Sequence, residues 1–252
     1  MGKSTKSKAN ETREKLKLAA LELFARFGID GVALRDIAEA SGQKNHASIG
    51  YYFGSKEALI KEILHDGASV LDKLRNEYLD KIEAEGGPKD IREVVDIILY
   101  SSLSQHGRGI ENYYSRFFLA TSLSHRQLFI GTIGDWNRGY QRCLDHLRAL
   151  MPPMPLAMKN QRFVFFGSCM AGVLAAREVA LADSARTHPT WSSDDTMSHL
   201  AHVMTAFLEA PAGHVDDHSL GILNFFSEVA APAAAPIPET ARRKRLTASA
   251  NR

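Results

Sequence analysis

Ser41–Leu59 reads SGQKNHASIGYYFGSKEAL, and together with VALRDIAEA at 32–40 this stretch decides the fold. It reads as a short helix, a glycine-containing turn, a second short helix from about Asn45 to Tyr52, and the capped start of a long one. The second helix carries Lys44, Asn45, Ser48, Tyr51 and Tyr52, which can donate to phosphates and base edges, while Ile49 and Phe53 pin its other side to a core. A short helix that is apolar on one face and polar on the other suits the DNA major groove. The stretch therefore points to a DNA-binding regulator.

Working outward, 252 residues at 44% hydrophobic and 24% charged suffice for one or two domains with a sizeable core. The net charge is only +2, but it is unevenly spread. Residues 1–60 hold 10 Lys/Arg against 7 Asp/Glu, residues 61–238 hold 16 against 21, and residues 239–252 hold 5 against 1. A basic front on an acidic body suits local DNA contact. Cys143 and Cys169 lie in apolar helical patterns with no metal-type spacing and read as reduced core residues of a cytoplasmic protein. The N-terminus lacks the apolar stretch of a signal peptide, and the most apolar run, Phe163 to Ala176, is shorter than the roughly 20 residues a bilayer needs, so no membrane partner is expected.

In chain order, residues 1–10 read as a disordered basic arm. A helix begins at Glu11 with Leu16, Ala19, Ala20, Leu23, Phe24 and Phe27 on one face, and Gly28 ends it. Leu34, Ile37 and Ala38 form the apolar side of the next helix, which ends near Gly42. Ser55 is a natural N-cap for the fourth helix, with Glu57 suiting the dipole in its first turn. That helix runs to about Glu85 and breaks at Gly86-Gly87-Pro88. Helical segments follow at 90–105, 110–123, 127–150, 156–182 and 194–209, with no sustained period-two alternation. The fold class is all-α: a helix-turn-helix domain over 11–60, a helical body over 61–228, and a disordered Ala/Pro tail with a basic patch over 229–252.

The segment ETREKLKLAALELFARFGIDGVALRDIAEASG (11–42), followed by ASIGYYFGSKEAL (47–59), resembles the DNA-binding domain of TetR-family transcriptional regulators. The paired Phe24 and Phe27, the RDIAEASG helix and the YYFGSKEAL ending occur in register. The resemblance implies a homodimer that binds a palindromic operator in double-stranded DNA and a variable C-terminal domain that takes a small-molecule effector, most often as a repressor. Tyr51 and Tyr52 stand where the family usually has a phosphate-contacting Tyr and His. Lys56, at the start of the fourth helix, suits a phosphate. Lys44, Asn45, Ser48 and Gly50 are the candidates for approach to base edges. Two departures stand out. Val32 and Ala33 replace the usual Thr or Ser, removing a helix-capping hydroxyl, and the turn with its recognition helix is one residue longer than the commonest version.

The second region is rich in aromatics on successive helices. Tyr100, Phe117, Trp136, Phe166 and Met170 are candidate walls for a mostly apolar effector, with Arg116 or Arg177 as its polar anchor. They serve equally as ordinary core. His199 with His202, and His214 with His218, have metal-like spacing but lack a recognisable third ligand. No cofactor or catalytic motif stands out, and a helical enzyme or metal-binding protein is the alternative class.

Overall fold

A computed structural model describes residues 2–43, 48–104, 113–193, 195–213 and 217–230. No strand occurs among them. The chain divides into two compact units, Met1–Pro211 and Ala212–Arg252.

The first unit opens with α1 (Gly2–Phe27), α2 (Leu34–Ala40), α3 (Ser48–Phe53) and α4 (Lys56–Ala84). Helix α1 begins well before Glu11, which corrects the reading of residues 1–10 as an arm: a polar run without Pro can extend an existing helix. Helix α1 ends where Gly28 takes φ +76° and its N–H donates to Phe24 O. At the start of α2, Ala33 has no side chain to cap with, and Asp36 closes the turn from the other side by accepting from Ala33 N at 2.9 Å.

Beyond Gly87 come α5 (Ile91–Leu103), α6 (Tyr114–Ser124), α7 (Arg126–Ile133), α8 (Arg138–Leu150), α9 (Leu156–Ala182), the short α10 (Pro189–Ser192) and α11 (Asp195–Glu209). Asp90 caps α5 by accepting from Glu93 N at 2.8 Å. The segment expected as one helix over 127–150 is two, α7 and α8, joined by a 3-10 turn at Gly134–Trp136. The break lets α8 start against the middle of α4. Asp72 Oδ1 accepts from Gly139 N at 2.6 Å, and a Cβ at Gly139 would stand 2.7 Å from Arg75 Cβ, so only glycine fits the crossing.

Two hydrophobic cores result. The first joins α1–α3 to the first half of α4 (Leu59, Ile60, Ile63, Leu64, Leu71) and takes in Tyr114, Phe117 and Phe129 from α6 and α7. The second joins Leu79 and Ile82 of α4 to α5, α8, α9 and α11. Helix α4 therefore passes from one core into the other. Helix α6 is a second bridge, packing on both α1 and α9.

Helix α9, with 27 residues, is long and apolar enough to cross a membrane by length and composition, with 28% of its most apolar window buried. The helix is thus longer than the apolar run 163–176 that was compared with a bilayer. Phe163, Phe166, Met170 and Leu174 pack into the second core, while Val164, Phe165 and Val179 are exposed. Cys169 is exposed as well, against the expectation of a core thiol, whereas Cys143 is buried. The second unit contains α12 (Asp217–Ala230), a helix that the punctuation of 211–219 does not announce, with Leu220, Ile222, Leu223 and Phe226 exposed.

Candidate nucleic-acid interface

Helix α3 is six residues long, and its two sides differ sharply. Ile49 and Phe53 sink into the first core. On the opposite side Tyr51 is 83% exposed, and a Cβ at Gly50 would meet nothing within 4 Å. Tyr52 is half-buried against the core, with its ring edge-on to Tyr51 at 5.0 Å between centroids. Of the two tyrosines expected at phosphates, Tyr51 presents its phenol outward and Tyr52 braces the helix. Ser48 is buried, so its hydroxyl faces the interior and not a base edge, a correction to the expected base-contacting set. Lys44 and Asn45 lie outside the described residues.

The turn after α3 is built from two residues. Gly54 adopts φ +78° and donates to Gly50 O at 3.0 Å, and Ser55 Oγ accepts from Ala58 N at 3.0 Å to cap α4. Lys56 follows, but its ammonium turns inward. Nζ donates to the carbonyls of Ile29 and Val32 at 2.5 and 2.6 Å and stands 5.7 Å from the Phe24 ring centroid. Two of its three N–H groups are thereby committed to holding the α1–α2 turn against α4. The expected phosphate contact is left one N–H.

Charge inside the head is arranged by residues that the sequence reading passed over. Arg13 Nε donates to Glu62 Oε1 at 2.8 Å, Nη2 donates to Glu62 Oε2, and Nη1 donates to Tyr52 O at 2.8 Å. Its guanidinium also lies 4.7 Å from the Phe53 ring centroid. One side chain of α1 therefore ties the end of α3 to α4. The hydrogen bond from Arg13 holds the Glu62 carboxyl below its ordinary value against the opposing effect of burial. One turn along, Lys17 bridges to Asp66 at 2.6 Å and to Glu14 at 2.7 Å. Burial works against the Lys17 charge, and these pairs outweigh it, so its pKa is raised. A register of Arg13 and Lys17 on α1 facing Glu62 and Asp66 on α4 is visible in the sequence only once the two helices are known to pack.

The residues expected to form an effector site are distributed. Phe117 is fully buried in the first core, stacked on Phe24 at 6.0 Å and 20°, so it joins head to body and does not line the body's interior. Phe166 and Met170 are buried in the second core. Trp136 is 39% exposed and stands edge-on to His65 at 4.9 Å. Tyr100 lines a surface groove of about 600 Å³ between α4 and α5, shared with Leu74, Tyr78, Ile97 and Ser101. Arg116 is engaged by Glu178 at 3.6 Å. Glu178 is itself buried and accepts from Ser115 N at 2.7 Å and Arg116 N at 3.0 Å, anchoring the start of α6 on α9. Burial pushes the Glu178 carboxyl up, and these hydrogen bonds oppose the shift. Arg177 Nε is buried without a hydrogen-bond partner among the described residues. Among those residues no group of three His, Cys, Asp or Glu side chains is placed to hold a metal ion, and His214 lies outside them.

Among the described residues, α1–α4 form an N-terminal helix-turn-helix unit in which the Gly50–Tyr51 face of α3 is open. Residues 18–63 match the model of the bacterial regulatory proteins of the tetR family. The HTH-type transcriptional regulator AcrR of Shigella flexneri is 33% identical over 109 residues, which is 43% of this chain and 49% of that protein. The chain thus spans about half the length of the curated relative it matches. A structure described as a candidate tetR family transcription regulator from Shewanella sp. PV-4 superposes with a TM-score of 0.54 at 14% identity, covering 79% of this chain and 99% of that one. A mutant of HlyIIR superposes at 0.50 and 15% identity, covering 81% and 100%. These two likenesses show a shared fold. Residues 18–63 are thus similar to the N-terminal domain of the tetR family of bacterial regulatory proteins.

Proposed function

We propose that this protein is a transcriptional regulator, acting as a repressor, that binds a palindromic operator as a homodimer and releases it when a small, mostly apolar effector binds among the C-terminal helices. The observation that carries the reading is the two-sidedness of α3. Its Ile49–Phe53 face is locked into the head, and its Gly50–Tyr51 face is open, with no Cβ at Gly50 to hold a base edge or phosphate away. Tyr51, with Lys44 and Asn45 at the start of the recognition segment, supplies the polar contacts.

Dimerisation is supported by α9 and α11. Val164, Phe165 and Val179 on α9, with Val203 and Phe207 on α11, form apolar surface left uncovered in a single chain. The small residues Ser168, Gly172 and Ala176 between them permit close approach of a second copy. Pairing these two helices with their symmetry mates would cover the same α9 surface that makes the helix apolar enough for a membrane.

Coupling runs through α4, which enters both cores, and through α6, whose Phe117 stacks on Phe24 while its first turn is held by Glu178. An effector lowers operator affinity only by the difference in its affinity for the two head arrangements. A preference of about 100-fold supplies roughly 2.7 kcal/mol.

A gel-shift series on genomic fragments at rising salt tests the reading. Retarded bands that weaken steeply with salt and persist longest on a few fragments are expected. Binding that is absent at low salt, or equal on every fragment, overturns it.

A further inference from the structure

We propose that the first turns of α1, residues 2–10, form a basic helical rod that lies along the DNA backbone beside the half-site read by α3. This rests on the reading of the head as DNA-binding. It adds a second contact surface, whose partner is the phosphates of the flanking duplex.

The segment reads GKSTKSKAN. It carries Lys3, Lys6 and Lys8 with the hydroxyls of Ser4, Thr5 and Ser7, and it has no Asp or Glu. Lysine and hydroxyl side chains contact phosphate oxygens without reading sequence. The segment is continuous with the rest of α1, which runs from Gly2 to Phe27. Thr12 Oγ1 donates to Lys8 O at 3.0 Å within that run. The side chains from Ser7 to Asn10 are exposed, and the first α1 residue in the head core is Leu16. At about 1.5 Å of rise per residue the segment spans about 13 Å.

Two observations tie this rod to the DNA-facing side of the head. Arg13, one turn beyond the segment, donates from Nη1 to Tyr52 O at 2.8 Å and rests 4.7 Å from the Phe53 ring centroid. Helix α1 therefore meets the end of α3 at Arg13, and the rod starts within one turn of that contact. The neighbour of Tyr52 in α3 is Tyr51, which is exposed. The rod and the open face of α3 are thus parts of one end of the head. The second observation is charge balance. Glu11 pairs with Lys15 at 2.7 Å, Glu14 with Lys17 at 2.7 Å, and Glu62 with Arg13. The acids next to the segment are already neutralised, so they do not balance Lys3, Lys6 and Lys8.

A duplex carries one charge per about 1.7 Å of its axis, so a rod of this length passes several phosphates. Lysine suits them as a point charge on a flexible stem. A preformed helix also avoids the ordering cost that a disordered arm of the same charge would meet on binding.

The test is a salt titration of the full chain on the genomic fragment it retards best and on a random duplex. Replacing all three lysines together (K3Q, K6Q and K8Q) removes the charge and keeps the helix, because Gln is about as good a helix former as Lys. A dimer then loses both sets of lysines, and each lost phosphate contact shallows the slope of log K against log salt by about 0.9. A fall in slope of at least about two units is expected. Affinity at about 150 mM salt should drop at least about tenfold on both duplexes, with Tm unchanged to within about 1 °C. A9G with N10G keeps every charge but loosens the rod, and is expected to bind between the native chain and the triple variant. A smaller change in slope, a loss confined to one duplex, a Tm lowered in the triple variant, or a glycine variant as tight as the native chain each overturn the proposal. A native chain that retards no fragment removes the DNA-binding reading instead. A native chain that binds, with its slope kept in the triple variant, removes this inference alone.

Discussion

Arg13 on α1 and Glu62 on α4 meet fork to fork, and the nitrogen of Arg13 left over from that pair donates to the carbonyl of Tyr52 at the end of α3. The position of α3, the proposed reading helix, thus depends on an ion pair formed behind it. R13A is expected to lower unfolding free energy by about 1–2 kcal/mol, a partly exposed charge-assisted network being worth that much. DNA affinity should fall beyond what this loss of folded protein explains. Denaturant titration and fluorescence anisotropy on one duplex check the two effects.

The same pair sets an acid limit. Arg13 holds Glu62 below its ordinary pKa, so the folded state binds fewer protons at this site than the unfolded state does. Its stabilisation is complete above the ordinary carboxylate pKa of about 4.3 and is lost as pH falls through the lower folded value. E62Q is expected to lose stability at pH 7 and to lose less than the native chain when pH falls from 5 to 3. Parallel slopes of Tm against pH would show that the pair contributes nothing.

At Gly67 the ring of Tyr114 lies so close to α4 that an added Cβ would stand 2.0–2.2 Å from it. Tyr114 is buried there, with its hydroxyl donating to Leu64 O at 3.3 Å. G67A must displace the ring, and a cost of about 1–3 kcal/mol is expected. A urea unfolding curve with an unchanged midpoint would mean that α6 moves aside freely.

Tyr51 and Lys56 should separate cleanly. Y51A removes an 83% exposed side chain and is expected to change stability by less than about 0.5 kcal/mol while weakening binding to all duplexes. K56A leaves the carbonyls of Ile29 and Val32 without their donor and should cost about 1–3 kcal/mol of stability. Calorimetry with anisotropy on specific and random duplexes distinguishes them. An unchanged Tm in K56A would return Lys56 to a purely phosphate-facing role.

What was legible in the sequence is what short-range chemistry specifies. The stop at Gly28, the cap at Ser55, the run of α4 to the Gly86–Gly87 break and the apolar side of α3 all depend on neighbours within a turn or two. Readings were incomplete where the deciding partner lies far along the chain. The helical period of Phe117 marks it as buried and says nothing of which core receives it, and its partner Phe24 is more than ninety residues away. Lys56 has the position of a phosphate contact, but carbonyls of the α1–α2 turn claim its ammonium first. Glu178 carries no local motif. Its role appears only when α9 meets α6.

The central claim is that two copies of this chain read DNA through α3, and selection from a randomised duplex library by the full-length protein at about 150 mM salt tests it most directly. The account predicts enrichment of an inverted repeat whose half-sites are spaced by about one helical turn or a multiple of it, as a two-fold pair of heads requires. Y51A should recover the same repeat with weaker enrichment. A library left unenriched by the native protein, or enriched in single unpaired half-sites, would contradict the account.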